Sequence, residues 1–259
     1  MENKNAKRII IANWKMNPET LSEAKEILSA IKKEAKKIEN INIVVAPPAI
    51  YLGRFKTGES DDVKLAAQNM HWEEKGAFTG EISSLMLKDA GVEYVIVGHS
   101  ERRNYFGETD EIINKKLILA LKNRLTPILC VGESFEEKRA EKTPEIIKSQ
   151  LTKALENIRQ KQVQSKNLLI AYEPVWAIGS GTTPSYDDVL SANLLIRKTI
   201  NSIYGRGIAE KIPLLYGGSV NAKNAGGFIE KSRADGLLVG GASIKATEFL
   251  GIIRQLSII

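Results

Sequence analysis

The chain has 259 residues, of which 43% are hydrophobic and 26% charged, a composition too apolar for a disordered protein. Its net charge of +6 suits an anionic small molecule but is too diffuse to indicate a nucleic acid. One cysteine, two histidines and the lack of an apolar run of about 18 residues argue against a disulfide framework, a zinc site and a membrane span. A soluble, cytoplasmic protein is therefore predicted.

Eight short apolar runs predict strands. They are IIIA (9–12), INIVVA (41–46), KLAAQ (64–68), YVIVG (94–98), PILCVG (127–132), LLIAY (168–172), PLLYG (213–217) and GLLVGG (236–241). Most runs are continuous, which is typical of strands buried on both faces of a parallel sheet. Between them, apolar side chains recur every three or four residues and predict helices. The clearest lie over 21–38, 110–123, 147–158, 189–203 and 249–256.

This alternation of strand and helix predicts a parallel sheet with helices outside it. Eight units in this length fit a closed (β/α)8 barrel better than the alternative, an open doubly wound sheet. No linker rich in Pro, Gly or Ser divides the chain, so residues 1–259 are interpreted as a single domain. Residues 1–7 are polar and are expected to form a frayed N-terminus.

Polar and glycine residues follow five of the predicted strands, at the end where barrel enzymes place their active sites. They are Asn13 and Lys15; His99, Ser100 and Glu101; Glu173; Gly218 and Ser219; and Gly240 and Gly241. Taken singly, Lys15 is also explained as a solvated surface lysine and His99 as a buried core histidine, and neither explanation requires a function. The carboxylate of Glu173 must be paired, solvated or functional, because burying it without a partner is costly. Consecutive glycines expose backbone N–H groups that suit a phosphate.

Several common catalytic motifs are missing or broken. The stretch GRFKTGES (53–60) has the glycine spacing of a P-loop, but Glu59 stands where the lysine is needed. No strand leads into G-x-G-x-x-G, and neither GHSER nor GGSVN is G-x-S-x-G. Dinucleotide binding and a serine hydrolase elbow therefore have no support. Cys130 lies within a predicted strand, where packing is its expected role.

Six motifs together resemble the triosephosphate isomerase family over essentially the whole chain and in family order. They are ANWKMN (12–17), QNMHWEEKGAFTGEIS (68–83), GHSERR (98–103), AYEPVWAIGSG (171–181), YGGSV (216–220) and LVGGAS (238–243). The resemblance implies a glycolytic and gluconeogenic TIM barrel that interconverts dihydroxyacetone phosphate and D-glyceraldehyde 3-phosphate without metal or organic cofactor. A phosphate-binding barrel with another substrate, and a catalytically silent sugar-phosphate-binding protein, are the alternatives.

The resemblance also implies a role for each site residue. Glu173 is the expected base that moves the proton, and His99 is the neutral imidazole that polarises the carbonyl. Lys15 supplies positive charge, Asn13 points its amide to the same side, and Glu101 orients the site through Lys15. Backbone N–H groups are expected to hold the phosphate at Gly179, Ser219, Gly240 and Gly241.

The resemblance further implies that one segment moves and that another docks. The mobile lid comprises Pro174, Val175, Trp176, Ala177, Ile178, Gly179, Ser180 and Gly181, and its closure excludes water. The loop over 69–81 is expected to dock into a second subunit of a homodimer. Its predicted contact residues are Thr79, Phe78 and Glu81, with Thr79 reaching the partner's site. Triose phosphates and a second copy are the expected partners, and nucleic acid and membrane are not.

The hinge after the lid departs from the family pattern Gly-Thr-Gly-Lys-x-Ala. Counted without gaps, Pro184 takes the place of the alanine whose N–H bonds the tyrosine matching Tyr216 in a closed lid. Proline has no N–H to donate. Alternatively the hinge is shorter and Pro184 occupies the first position of the next helix, which the sequence favours. Either arrangement predicts that Tyr216→Phe costs little activity.

Overall fold

Eight parallel strands close into a barrel in the computed structural model, which describes residues 7–55, 62–163, 167–178 and 182–259. Each strand pairs with the next along the chain, and β8 pairs with β1. The strands are β1 Arg8–Asn13, β2 Ile41–Ala46, β3 Val63–Ala67, β4 Tyr94–Val97, β5 Thr126–Val131, β6 Leu169–Tyr172, β7 Leu214–Tyr216 and β8 Gly236–Val239. The predicted closed barrel is confirmed, and the open sheet is wrong.

Helices follow the strands around the outside of the barrel. They are α1 Leu21–Ala35, α2 Ala49–Leu52, α3 Ser84–Asp89, α4 Ser100–Phe106, α5 Asp110–Lys122, α6 Phe135–Arg139, α7 Thr143–Ala154, α8 Tyr186–Tyr204, α9 Arg206–Ala209, α10 Ala225–Glu230 and α11 Ala246–Ser257. The five helices predicted from periodicity are confirmed, although α1 ends three residues before Ile38 and α7 ends four residues before Ile158. The others span one or two turns, too short for a period to appear.

The first turn of α8 decides the position of Pro184. The Ser185 hydroxyl accepts a hydrogen bond from the Asp188 N–H at 3.1 Å, and the Asp188 carboxylate accepts one from the Ser185 N–H at 3.2 Å. This capping box starts the helix at Tyr186. The prediction that Pro184 is the first helical residue is therefore wrong, and the proline precedes the cap.

Two buried layers explain why the strand sequences are continuously apolar. Alternate strand residues such as Ile9 and Ile11 pack with one another inside the barrel, whereas Ile10 and Ala12 pack toward the helices. Cys130 belongs to the inner layer and is completely buried, which confirms packing as its role. Within the described ranges, no helix has both the length and the apolar character needed to cross a membrane.

Candidate active site

A pocket of about 380 Å³ opens at the carboxyl end of the barrel strands. The ends of β1, β4 and β6 contribute Asn13, Lys15, His99 and Glu173 to its lining. The segments after β7 and β8 contribute residues 217–221 and 240–242. Because all strands are parallel, residues far apart in the chain meet at one edge, as the strand-end pattern predicted.

The Glu173 carboxylate is buried and has a partner for each oxygen. Its Oε1 lies 3.2 Å from His99 Nε2, and its Oε2 accepts a hydrogen bond from the Ser100 N–H at 2.9 Å. The side chain is only 3% exposed. These two contacts offset the cost of burying a carboxylate and place it beside the imidazole at the pocket.

His99 occupies the N-cap position of α4. Its Nδ1 accepts a hydrogen bond from the Glu101 N–H at 3.2 Å, so Nδ1 carries no proton in this arrangement. The ring proton then lies on Nε2, which faces Glu173. The local sequence therefore fixes both the orientation of the imidazole and the nitrogen that points toward the carboxylate.

Lys15 is held in an unusual backbone conformation. Its φ is 55°, in the left-handed region that non-glycine residues seldom adopt. Its N–H donates to Asn13 Oδ1 at 3.1 Å, and its carbonyl accepts from Gln68 Nε2 at 2.8 Å. Its Nζ lies 2.5 Å from Glu101 Oε1, the pairing that the resemblance implied. The sequence interpretation missed Gln68, although this residue ends the third predicted strand and could have been noticed there.

Glu133 is a second residue that sequence reasoning missed. It is completely buried after β5, and its carboxylate accepts hydrogen bonds from Tyr172 OH and Trp176 Nε1, both at 3.0 Å. Its carbonyl accepts from the Val175 N–H at 3.1 Å. Glu133 thus fastens the segment that follows Glu173. The available signal was a glutamate directly after a buried strand.

Close packing at the end of β5 requires a glycine. A Cβ on Gly132 would lie 1.8 Å from the Glu173 carbonyl oxygen, so any side chain there would displace the Glu173 backbone. Gln150 on α7 holds Gly132 with two hydrogen bonds, one to its N–H at 2.9 Å and one to its carbonyl at 3.0 Å. The position of Glu173 is therefore set by the backbone of a neighbouring strand.

The glycines predicted to bind phosphate differ in the space around them. A Cβ at Gly240 would lie 3.3 Å from Lys15 Cε, whereas one at Gly241 would meet nothing within 4 Å. Ser219 also lines the pocket, and its hydroxyl donates to the Ala177 carbonyl at 2.8 Å. Gly179, the fourth predicted contact, lies outside the described residues.

Comparisons with known proteins identify the family of this chain. The family model for triosephosphate isomerase matches residues 8–256. The chain belongs to the triosephosphate isomerase family. The triosephosphate isomerase of Alkaliphilus oremlandii is 50% identical over 249 residues, covering 96% of this chain and 99% of that protein. Those of Alkaliphilus metalliredigens (47%) and Dictyoglomus turgidum (46%) also cover 96% of this chain and 99% of their own lengths. The predicted family and its isomerase class are confirmed.

In this member of the triosephosphate isomerase family, the described residues of the predicted lid, 174–178, lie against the barrel. Val175–Ala177 form a short 3-10 turn, and Ala177 is buried. Lys138 Nζ lies 5.7 Å from the centre of the Trp176 ring and 2.8 Å from Asp188 Oδ1. Gly179, Ser180 and Gly181 lie outside the described residues. Most of the stretch GRFKTGES (53–60), whose glycine spacing is that of a P-loop, lies outside them too.

Burial governs the titration of three groups around the site. It raises the pKa of the Cys130 thiol well above its usual value, and the negative charge of Glu173 adds to the effect. Burial also raises the pKa of Tyr172, next to the Glu133 carboxylate, and the pKa of Tyr216. All three groups therefore stay uncharged at neutral pH, and Cys130 offers no thiolate nucleophile beside Glu173.

The loop over 69–81 lies away from the pocket lining. His71 stacks between Trp72 and Phe78, with ring centres 4.2 Å apart in both pairs. Phe78 is 42% exposed, and Thr79 and Glu81 are exposed too. In the described ranges, no cluster of three or more His, Cys, Asp or Glu residues is placed to hold a metal ion.

Proposed function

We propose that this chain, as one domain over residues 1–259, interconverts dihydroxyacetone phosphate and D-glyceraldehyde 3-phosphate without a cofactor. The observation that carries the proposal is the buried Glu173 carboxylate, 3.2 Å from His99 Nε2, at an open pocket that also contains Lys15. A base, a neutral proton donor and a fixed cation are what an enediolate reaction needs. The family supplies the reaction, and we extend it to these residues.

Glu173 takes a proton from one substrate carbon and returns it to the neighbouring carbon. Both carboxylate oxygens contact protein groups, so one contact must be exchanged for the substrate C–H. His99 Nε2–H donates to the carbonyl oxygen and moves the proton between the two oxygens of the enediolate. A neutral imidazole at a helix N-terminus is the established electrophile of this family. Lys15 stabilises the developing oxyanion, while Asn13 and Glu101 fix its position.

Backbone N–H groups of Ser219, Gly240 and Gly241, together with Gly179, hold the substrate phosphate in this proposal. The support is the open space at Gly241, where no side chain blocks an approaching anion. The lid from Pro174 to Gly181 closes over the bound substrate. Closure excludes water, strengthens the electrostatic interactions and protects the enediolate from losing phosphate.

The proposed partner is a second copy of the chain, in the cytoplasm. Large apolar side chains are exposed on the loop over 69–81, on α3 after it, and on the segments that follow β1 and β2. They include Met16 (93%), Ile50 (79%), Leu85 (49%) and Met86 (58%) as well as Phe78. Such a patch on a soluble protein indicates a protein interface. Thr79 would reach the other subunit's site near Asn13 and Glu101.

The dimer proposal is tested with Phe78→Asp, which places a charge in the proposed interface. We expect a monomer by sedimentation velocity and a large loss of kcat, because Thr79 no longer completes the other site. Phe135→Asp is the matched control, since Phe135 is similarly exposed (54%) but lies on α6. A Phe78→Asp protein that stays dimeric, or a monomer with full activity, would contradict the proposal.

The reaction itself is tested by proton NMR of D-glyceraldehyde 3-phosphate with the protein in D2O. We expect dihydroxyacetone phosphate with deuterium at the carbon that receives the proton, because Glu173 exchanges its proton with solvent. A His99→Gln, Glu173→Asp double variant purified in the same way measures contamination. No conversion by a folded, dimeric sample would refute the proposed function.

A further inference from the structure

The pocket contains a carboxylate that the proposed reaction does not use. Among the described residues, one lysine, Lys15, and two glutamates, Glu173 and Glu248, line it. Glu173 is the proposed base, but a second carboxylate opposes a phosphate dianion, since like charges repel. The presence of Glu248 in the lining of an anion pocket therefore requires an explanation.

Glu248 lies at the end of the pocket where the phosphate is proposed to bind. Gly240 and Gly241 lead into a 3-10 turn over Gly241–Ile244, and α11 begins two residues after that turn. Glu248 is in the first turn of α11, and Lys245 is the residue that precedes the helix. The same short stretch of chain therefore supplies the proposed phosphate contacts, a cation and a carboxylate.

Lys245 forms an ion pair with Glu248, which is the member of the pair that lines the pocket. Lys245 Nζ lies 3.1 Å from Glu248 Oε1, and the two side chains are 66% and 50% exposed. A pair so exposed to water is weak and dissociates readily. The flexible lysine stem lets the ammonium group leave Glu248 for another anion nearby. A phosphate bound at Gly240 and Gly241 is such an anion.

We propose that Glu248 limits the affinity of the pocket for phosphate dianions. It does so by holding the Lys245 ammonium and by presenting its own negative charge at the rim. This proposal rests on the proposed function, because it needs the phosphate of the substrate to bind at this end. The consequence is a pocket from which triose phosphates and inorganic phosphate dissociate readily.

The test is calorimetric titration of the full chain with inorganic phosphate, which needs no turnover. Glu248→Gln frees Lys245 and removes the repelling charge, so we expect the Kd for phosphate to fall about two- to fivefold. Lys245→Met leaves Glu248 uncompensated, and the Kd should rise by a similar factor. In the double variant the two effects offset each other, and the Kd returns toward that of the unaltered protein. The KM for triose phosphate should follow the same order.

Glu210→Gln is the matched control for net charge. Glu210 pairs with Arg206 in an ion pair that is also exposed (60% and 85%), at the other end of the barrel. The Kd of the Glu210→Gln variant for phosphate should equal that of the unaltered protein. The difference between Glu248→Gln and Glu210→Gln should shrink when NaCl is raised from about 20 to about 200 mM, because salt screens exposed charges.

Three outcomes would overturn the proposal. If Glu248→Gln binds phosphate no more tightly than Glu210→Gln, Glu248 does not limit affinity. If Glu248→Gln lowers Tm without changing the Kd, the residue only stabilises the start of α11. If the unaltered protein binds no inorganic phosphate but converts triose phosphate in the NMR experiment, this inference fails and the proposed function stands, whereas absence of conversion as well would refute both.

Discussion

At the amino-terminal end of the barrel, Arg197 donates to the carbonyl oxygens of Ala209 and Ile212 and lies 2.7 Å from Asp235 Oδ2. Arg8 there donates to the carbonyl of Ile259 at 2.8 Å. The partners of these two arginines are backbone groups and a paired carboxylate, which fasten one loop or terminus to the next. Both guanidinium groups are therefore engaged in contacts that hold the fold together.

At the carboxyl-terminal end, charged side chains contact one another around an open pocket. Lys15 lies 2.5 Å from Glu101, and Glu173 lies 3.2 Å from His99. Both pairs border space in which a substrate can exchange for a partner. Removing a cation held by backbone carbonyls, such as Arg197, should therefore cost stability, whereas removing a charge at the pocket should cost activity.

The largest effect is expected for Glu173→Gln at the carboxyl-terminal end. The amide keeps an acceptor for the Ser100 N–H but cannot act as a base, so kcat should fall about 10³-fold. The Tm should stay the same or rise, because a buried negative charge is removed. Steady-state kinetics and calorimetry measure the two quantities. A kcat within tenfold of the unaltered protein would show that another group is the base.

The opposite pattern is expected for Arg197→Met at the amino-terminal end. Two backbone carbonyls and Asp235 lose a charged donor, which should lower the free energy of unfolding by about 1–3 kcal/mol. The ratio kcat/KM should stay within twofold. Urea denaturation at one fixed protein concentration measures the change.

Arg206→Met is the control for that experiment, because the Arg206 side chain is 85% exposed and pairs with Glu210 alone among the described ion pairs. Its free energy of unfolding should change by no more than about 0.5 kcal/mol. If Arg197→Met and Arg206→Met lowered the free energy of unfolding equally, the hydrogen bonds of Arg197 to backbone carbonyls would not be what stabilises this end of the barrel.

A smaller effect is expected for Tyr216→Phe, although Tyr216 ends β7 beside the pocket. Its ring stacks on Phe228 with centres 3.9 Å apart, and phenylalanine keeps that contact. Pro184 has no N–H to bond the hydroxyl, and the N–H of Ser185 is already used by Asp188. The rate should therefore fall less than about tenfold, or 1.4 kcal/mol.

Making Tyr216→Phe in a Pro184→Ala variant tests this explanation, because alanine restores a backbone N–H at position 184. Tyr216→Phe should then cost more activity than it does beside the proline. The measurement is kcat/KM for the four proteins of this double-mutant cycle. A loss above tenfold in the Pro184 background would mean that Tyr216 acts through another partner.

The smallest effect concerns Glu34, which joins α1 to α11 near the amino-terminal end. Arg254 and Lys37 hydrogen-bond its carboxylate and lower its pKa from 4.5 to about 2. A lowered pKa stabilises the fold above pH 4.5 and loses that contribution as the pH falls toward 2. The Tm difference between the unaltered protein and Glu34→Gln should therefore narrow over this interval. A constant difference would contradict the prediction.

Local patterns predicted most of the fold. Every predicted strand was found within two residues of its observed ends, because burial on both faces leaves a continuous apolar run such as INIVVA (41–46). Short helices such as α2 were not predicted, since a single turn shows no period. The start of α8 differs from the prediction. Proline favours the first position of a helix, which predicted a start at Pro184, but the Ser185 capping box starts the helix at Tyr186.

The order of strands and helices and the polar character of the strand ends follow from the sequence alone, because each depends on neighbouring residues. The pairing of side chains depends on the folded barrel. Ser100 meets Glu173 across 73 positions, and Lys15 meets Glu101 across 86. Gln68 and Glu133 gained their roles in the same way, from carbonyls and rings supplied by other strands. Periodicity records which face of an element is buried, but closure of the barrel selects the partner, and that selection leaves no local pattern.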